Sequence, residues 1–382
     1  MNSKSRFWPV FASVVFAFAL TASACSKKED SKGSNNKTPK PTTPRVDPAP
    51  AAAHRIADKM CACKDATCAT TVRVEYMKWA RDFGAANPDK KVMDLVNVAS
   101  TRLGQCFKKL KIGASGSHAM EIPGEFKTPE SVLYDAAADV YLVSNINGSP
   151  FAADGNGFIS QVSPDGKVKN LKWIDGAKKD VELNGPKGMA ILNGVLYVAD
   201  ITVVRKFDSK TGAAKGVIKV PGSTFLNDVA AGKDVVYVSD TGKKAGFKNS
   251  GTDAVWQIKG DKVSALIKDG KLGNPNGLAV AGKDVWVVNF GNAEMYKVTA
   301  GKKDAVVTLP KGGLDGLEFI SDDEVLVSSW GGKAIYRGKV GGPFKALAEN
   351  VEQPADIAWD SKRKRLIVPQ FGKNLLLMYS VK

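Results

Sequence analysis

From residue 117 onward, apolar residues come in short runs broken by Gly, Lys and Asp turns, as in Val235-Val-Tyr-Val-Ser239 and Asp284-Val-Trp-Val-Val288. β-Branched and aromatic residues in runs this short predict strands, and no helical period competes with them. Six runs are preceded by a recurring phrase, each copy followed by an apolar residue: Thr128-Pro129-Glu130-Ser131, Gly185-Pro186-Lys187-Gly188, Leu226-Asn227-Asp228, Asn274-Pro275-Asn276-Gly277, Gly313-Leu314-Asp315-Gly316 and Gln353-Pro354-Ala355-Asp356. The variable position reads Glu130, Lys187, Asn227, Asn276, Asp315 and Ala355, in steps of 57, 40, 49, 39 and 40 residues. The apolar runs end at Asn145, Asp200, Asp240, Asn289, Ser329 and Gln370, in steps of 55, 40, 49, 40 and 41. Two periods that keep step mark an architectural repeat. A period near 40 with several strands per unit predicts a mainly β fold, a six-bladed β-propeller over residues 117–382.

All blades of a propeller share one axis, so residues equivalent by repeat converge at one mouth of the central channel. The expected ring is Glu130, Lys187, Asn227, Asn276, Asp315 and Ala355, placed just before the innermost strands. Turn capping explains Asn or Asp before Gly, but does not call for Glu or Lys. Four members offer oxygen, two as carboxylates and two as amides, a hard donor set suited to calcium rather than zinc. Lys187 offers no acceptor; beside a cation it must bend away or lose its proton, or else it bridges Glu130 and Asp315 in place of a metal. The run ends from Asn145 to Gln370 are expected to bond loop backbone. Asp154-Gly155-Asn156-Gly157, in the long first-blade insertion, lacks the full spacing of a calcium loop and is expected to act as a lid.

The phrases Pro129-Glu130-Ser-Val-Leu-Tyr-Asp135, Phe225-Leu-Asn227-Asp228, Asn276-Gly277-Leu and Leu314-Asp315-Gly316 resemble those of the senescence marker protein, gluconolactonase and luciferin-regenerating enzyme family. The resemblance covers about residues 117–382 and lies in the ordered set Glu, Asn, Asn, Asp. It implies a catalytic calcium held by Glu130, Asn227, Asn276 and Asp315, with Asp315 also a candidate base or nucleophile. Lys187 departs from the pattern of an active hydrolase, and no counterpart stands out for the arginine that sugar lactonases use on substrate.

Both histidines, His54 and His118, and all five cysteines precede the repeats. A Ser-His-Asp triad, a histidine dyad and thiol chemistry are thereby excluded from the propeller. At the front, Lys4 and Arg6 precede an uncharged stretch, Phe7 to Leu20, and then Thr21-Ala-Ser-Ala24-Cys25. This predicts a signal peptide over 1–24, too short for a membrane span, and its end resembles a bacterial lipoprotein cleavage box with lipid attached at Cys25. Ser26 after that cysteine implies outer-membrane sorting, and residues 25–50, rich in Lys, Ser, Asn, Pro and Thr, form a tether.

Residues 51–112 read as a cysteine-paired helical module. Helices are expected over Ala51 to Cys61, over Thr67 to Phe83 and after Asn87-Pro88-Asp89. The last would turn Val92, Leu95, Val96, Ala99, Leu103, Cys106 and Phe107 to one face. Cys61, Cys63, Cys68 and Cys106 allow three pairings; Cys63 with Cys68 and Cys61 with Cys106 is favoured because the closer pair spans one short turn.

With 55 basic and 39 acidic residues the chain carries a formal charge of +16, spread over loops and tether without aromatic interleaving. That argues against nucleic acid and suits anionic envelope surfaces or exposed strand edges. Two functions stay open for an expected monomer. One is an envelope-anchored, lactonase-like propeller that uses its charged axial mouth to hold a small molecule or envelope protein. The other is an active calcium-dependent hydrolase of lactones, esters or phosphotriesters.

Overall fold

The computed structural model describes residues 49–64, 66–85, 90–109, 119–122 and 124–382. The signal stretch, Cys25, His118 and the tether up to residue 48 lie outside the described residues. The chain divides into two compact units on either side of residue 112.

The first unit consists of α1 (Ala49–Ala62), α2 (Ala66–Ala85) and α3 (Lys90–Lys109). Ile56, Ala57 and Met60 of α1 pack with Ala69 and Val72 of α2 and Leu103 of α3. A core of this size is marginal alone. Cys61 is bonded to Cys106 and Cys63 to Cys68, which ties α3 to the end of α1 and closes the turn into α2. Val96, Ala99 and Leu103 face inward, but Leu95 is 54% exposed. Three- and four-residue steps carry the buried face along the helix, and Leu95 stands one residue, about 100°, off it.

The second unit is a six-bladed propeller with four antiparallel strands per blade. The innermost strands of blades 1 to 5 are Pro129–Asp135, Pro186–Leu192, Leu226–Ala231, Pro275–Ala281 and Leu314–Phe319. Blade 6 starts with a shorter inner strand, Ala358–Asp360, preceded by a bridge from Pro354 to Gln370. The expected strand at Val235–Ser239 forms one residue later, at Val236–Asp240, and that at Asp284 extends to Asn289.

The two sequence periods keep step because their members are ladder partners. Pro129 pairs with Asn145, Pro186 with Asp200, Leu226 with Asp240, Pro275 with Asn289 and Leu314 with Ser329. Proline is the first strand residue in three of these pairs, where the ladder N–H can be dispensed with. Immediately after each pair in blades 1 to 5 the register shifts, so the variable residue sits in a β-bulge inside the strand rather than ahead of it.

The ring closes by sharing blade 6 between the two ends of the unit. Met120–Ile122 forms its outermost strand, with Met120 opposite Met378, Glu121 opposite Leu377 and Ile122 opposite Leu376. Ile122 and the following Phe126 are almost fully buried, among Tyr141, Ile367 and Leu376. Deleting residues 120–126 therefore removes two buried side chains, each worth about 1.5–3 kcal/mol, and exposes an edge strand. The expected outcome is a lower and broader thermal transition; an unchanged unfolding profile would show that closure does not depend on this strand.

Candidate functional site

A bulge breaks the pleat locally and re-aims one side chain, and each bulge here aims it at the axis. Glu130, Lys187, Asn227, Asn276 and Asp315 all line one cavity of about 390 Å³ at the axial mouth. Ala355 is fully buried, and Gln353 takes blade 6's place in the cavity lining. Glycine follows the ring residue in blades 2, 4 and 5 because the neighbouring inner strand is too close for a side chain. A Cβ on Gly188 would lie 2.1 Å from the Asp228 carboxylate, and one on Gly277 would lie 2.1 Å from the Asp315 carbonyl oxygen.

The oxygens gathered on the cavity floor lack partners. Glu130 Oε2, Asn276 Oδ1 and Asp315 Oδ1 are buried without a hydrogen bond among the described residues. Leaving such groups unpaired costs about 1–3 kcal/mol each, more when charged. The Asn227 amide NH₂ donates to Thr241 Oγ1 at 3.1 Å, leaving the Asn227 carbonyl oxygen as its acceptor. Among the described residues no group of three or more His, Cys, Asp or Glu is placed to hold a metal. The floor instead mixes two carboxylates with two amides, a set suited to a hard cation that keeps some of its water.

Lys187 is 1% exposed. Its ammonium donates to Gly185 O at 2.9 Å and stands over the Phe225 ring, 4.5 Å from the centroid. Among the described residues no ion pair joins it to Glu130 or Asp315, so the lysine is turned aside rather than bridging the two carboxylates. Burial lowers its pKa, with Glu130 and Asp200 pulling the other way. The Glu130 carboxyl is pushed well above its usual range, first by burial and next by Asp315, and Asp315 likewise by burial and then Asp356. A cation on the floor would reverse both shifts.

The wall comes largely from one repeat position that the sequence reading passed over, the residue just after each run end. Ile146, Thr241, Phe290, Trp330 and Phe371 occupy it and line the cavity. Their backbone N–H groups donate to the carbonyls of Thr128, Phe225, Asn274, Gly313 and Gln353, two residues before the ring. The run ends themselves clamp the same loops. Asp200 accepts from the N–H of Asn184 and Gly185, Asp240 from Thr224 and Phe225, and the Gln370 amide donates to Glu352 O. The blade-1 insertion is wall rather than lid: Pro150 lines the cavity, Phe151 packs 4.7 Å from Phe225, and the Gly155 N–H donates to Asn184.

Beneath the floor lies a second set of carboxylates. Asp228 accepts from the N–H of Val229 and of Leu278 in the next blade, and Asp356 accepts from the Ser131 hydroxyl. Both line a cavity of about 500 Å³ that also contains Glu318. Burial raises Asp228 well above the carboxyl range, Asp356 to about 7 and Glu318 to about 8, the last helped by Asp356.

The propeller fold is shared with known proteins. A streptogramin B lyase structure matches with a TM-score of 0.51 at 13% identity, covering 70% of this chain and 98% of that one. Virginiamycin B lyase from Staphylococcus aureus matches with 0.51 at 11%, covering 70% and 100%. A gluconolactonase from Xanthomonas campestris matches with 0.54 at 15%, covering 70% and 90%. At such identities the likeness establishes the fold. No family model matches the sequence, and no curated protein sequence matches it.

The carboxyls with raised pKa, Asp356 and the partly buried Glu318, predict a pH dependence. A carboxyl whose folded pKa is raised binds its proton more tightly when folded, so its contribution favours the fold at low pH and is lost as pH climbs through the folded value. For Asp356 and Glu318 the window runs from about 4 to about 8. In EDTA the thermal midpoint should fall across this range, and less steeply in Glu318→Gln; equal slopes would show that Glu318 is ionised throughout.

Proposed function

We propose that this protein is a calcium-dependent, lactonase-like propeller that hydrolyses lactones or esters at the Glu130–Asp315 mouth and is anchored at a bacterial cell envelope. The observation that carries the site is the convergence of three buried acceptor oxygens, on Glu130, Asn276 and Asp315, that no donor satisfies. Glu130, Asn227, Asn276 and Asp315 would hold the ion. When bound, calcium would supply positive charge against a developing oxyanion. Asp315 is the candidate base or nucleophile, its carboxyl next to the Trp330 indole, and the wall above it is largely aromatic. Lys187, held by Gly185 O and Phe225, leaves the floor open while offsetting part of the charge of Glu130.

A second possibility is capture of the ligand without turnover. Its support is the cation inventory: the cavity holds no arginine, and its two lysines, Lys187 and Lys243, are already bonded to Gly185 O and Asn249 Oδ1.

Thermal unfolding in EDTA and then in calcium tests the site. At about a hundredfold over Kd, calcium should stabilise the protein by about 2.7 kcal/mol. Asn276→Ala and Asp315→Asn should lose that response; a midpoint indifferent to EDTA and calcium would end the proposal. Release of acid from lactones or aryl esters then separates hydrolysis from capture.

Envelope anchoring is supported by Phe7 to Leu20 followed by Ala-Ser-Ala-Cys25. Lipid on Cys25 and an extended tether would place the folded part tens of ångströms from the outer membrane. Labelling with radioactive palmitate should mark the wild type and not Cys25→Ala, which should appear in the soluble fraction; equal labelling would refute attachment at that cysteine.

A further inference from the structure

Above its floor the cavity has little to offer a hydroxylated ligand. Phe225 and Phe247 of blade 3 stand on one side, and Phe290, Trp330 and Phe371 of blades 4, 5 and 6 on the other. Phe290 and Phe371 flank Trp330 at 5.6 and 5.3 Å between ring centroids. Phe247 caps the rim from a hairpin, Lys243–Asn249, that accounts for the long third step of the repeat. It packs edge-on against Phe151 at 5.1 Å and is nevertheless 58% exposed, on a backbone with φ of +56°. A bulky aromatic held exposed in the left-handed region is costly to the fold alone and points to a use at the cavity.

Polar groups on the wall are few and mostly engaged. Thr241 Oγ1 accepts from Asn227 and donates to Pro275 O, and Lys243 donates to Asn249 at 2.6 Å. Gln353 lies exposed at the rim. Aromatic faces can stack on a sugar ring, but the hydroxyls around its edge then need partners in the ring plane, and each one buried without a partner costs about 1–3 kcal/mol.

We infer that the ligand of this site is an ester or lactone with an apolar aryl or acyl body, and not a polyhydroxylated sugar lactone, with Phe247 and its hairpin setting that preference. The inference deepens the proposed function and rests on it in one respect: a cation must occupy the floor oxygens that could otherwise accept from sugar hydroxyls. The aryl or acyl group lies between the two aromatic banks, and the carbonyl points to the floor.

Lactams resist hydrolysis and report binding alone. Calorimetric titration of the calcium-loaded full chain with a phenyl-substituted valerolactam and with gluconolactam should give the phenyl lactam at least about tenfold the affinity. Phe247→Ala, at an exposed position that leaves the core intact, should cost the phenyl lactam roughly three- to tenfold and leave gluconolactam unchanged. Equal or tighter binding of gluconolactam, binding of neither lactam, or an unchanged phenyl-lactam affinity in Phe247→Ala overturns the inference. Calcium uptake is titrated first on the same samples, so its absence counts against the cation site, while the lactam preference reads the wall.

Discussion

Six inner strands converge on one axis, and the space between them admits only some of the side chains they carry. Everything at the mouth follows from how this crowding is relieved. Directly after the ring position stand Ser131, Gly188, Asp228, Gly277, Gly316 and Asp356, and the three glycines are where a neighbouring strand would collide with a Cβ. The bulges create the same problem for the backbone, because a bulged N–H has no ladder partner. Serines of the second strands solve it across blades. Ser239 accepts from the Asp228 N–H and donates to Asn276 O, and Ser328 accepts from the Gly316 N–H and donates to Ala355 O. The bulged backbone of blades 3 and 5 is thus tied through a serine to the ring position of the next blade, at Asn276 and Ala355, which fixes neighbouring inner strands against one another.

Crowding also concentrates charge. Glu130, Asp315, Asp228, Asp356 and Glu318 follow one another along the axis, with Lys187 as the buried cation beside them. The protein as a whole is strongly basic, yet most of the propeller's described lysines, Lys187 apart, lie on outer strands and loops, where water screens them from the axis. Asp228 is stabilised by backbone N–H groups and Asp356 by Ser131, whereas among the described residues none donates to Glu130 Oε2 or Asp315 Oδ1, and only the Trp330 indole lowers the Asp315 pKa. The two levels therefore differ in bonding: Asp228 and Asp356 of the lower accept hydrogen bonds from the protein, and the upper ends in acceptor oxygens that no donor among the described residues satisfies.

The fold and the floor were legible because a repeat converts sequence spacing into position about an axis. Blade number and the convergence of five ring residues at one cavity both follow from that conversion. Lys187 was legible as an anomaly but not as a side chain turned aside, since its partners, Gly185 O and Phe225, come from the strand entry and from the next blade. The lower carboxylates stood in the quoted phrases, as Asp228 and Asp356, but the bulges that place both a ring residue and its successor at the axis leave no composition signal. In the first unit the expected apolar face of α3 is one residue too wide at Leu95, because the helix carries more apolar positions than its buried face accepts: Leu95 and Val98 are both exposed.

Departures from the 40-residue period carry the remaining information. In blades 4, 5 and 6 the repeat position after the second strand is Phe290, Trp330 or Phe371, so half of the wall is aromatic without any added chain. Blades 1, 2 and 3 have Ile146, Ile201 and Thr241 there, none of them aromatic. Their side is completed by Phe225 from the strand entry, by Phe151 from the 57-residue step and by Phe247 from the 49-residue step, three rings in mutual contact at 4.7, 5.1 and 6.4 Å. The two longest units of the repeat thus deliver an aromatic residue to the one flank that the short units leave without it. Surface loops tolerate length changes at little cost and need carry no particular residue, so two insertions that each place a ring against Phe225 are set apart from simple surface loops by what they build at the cavity flank.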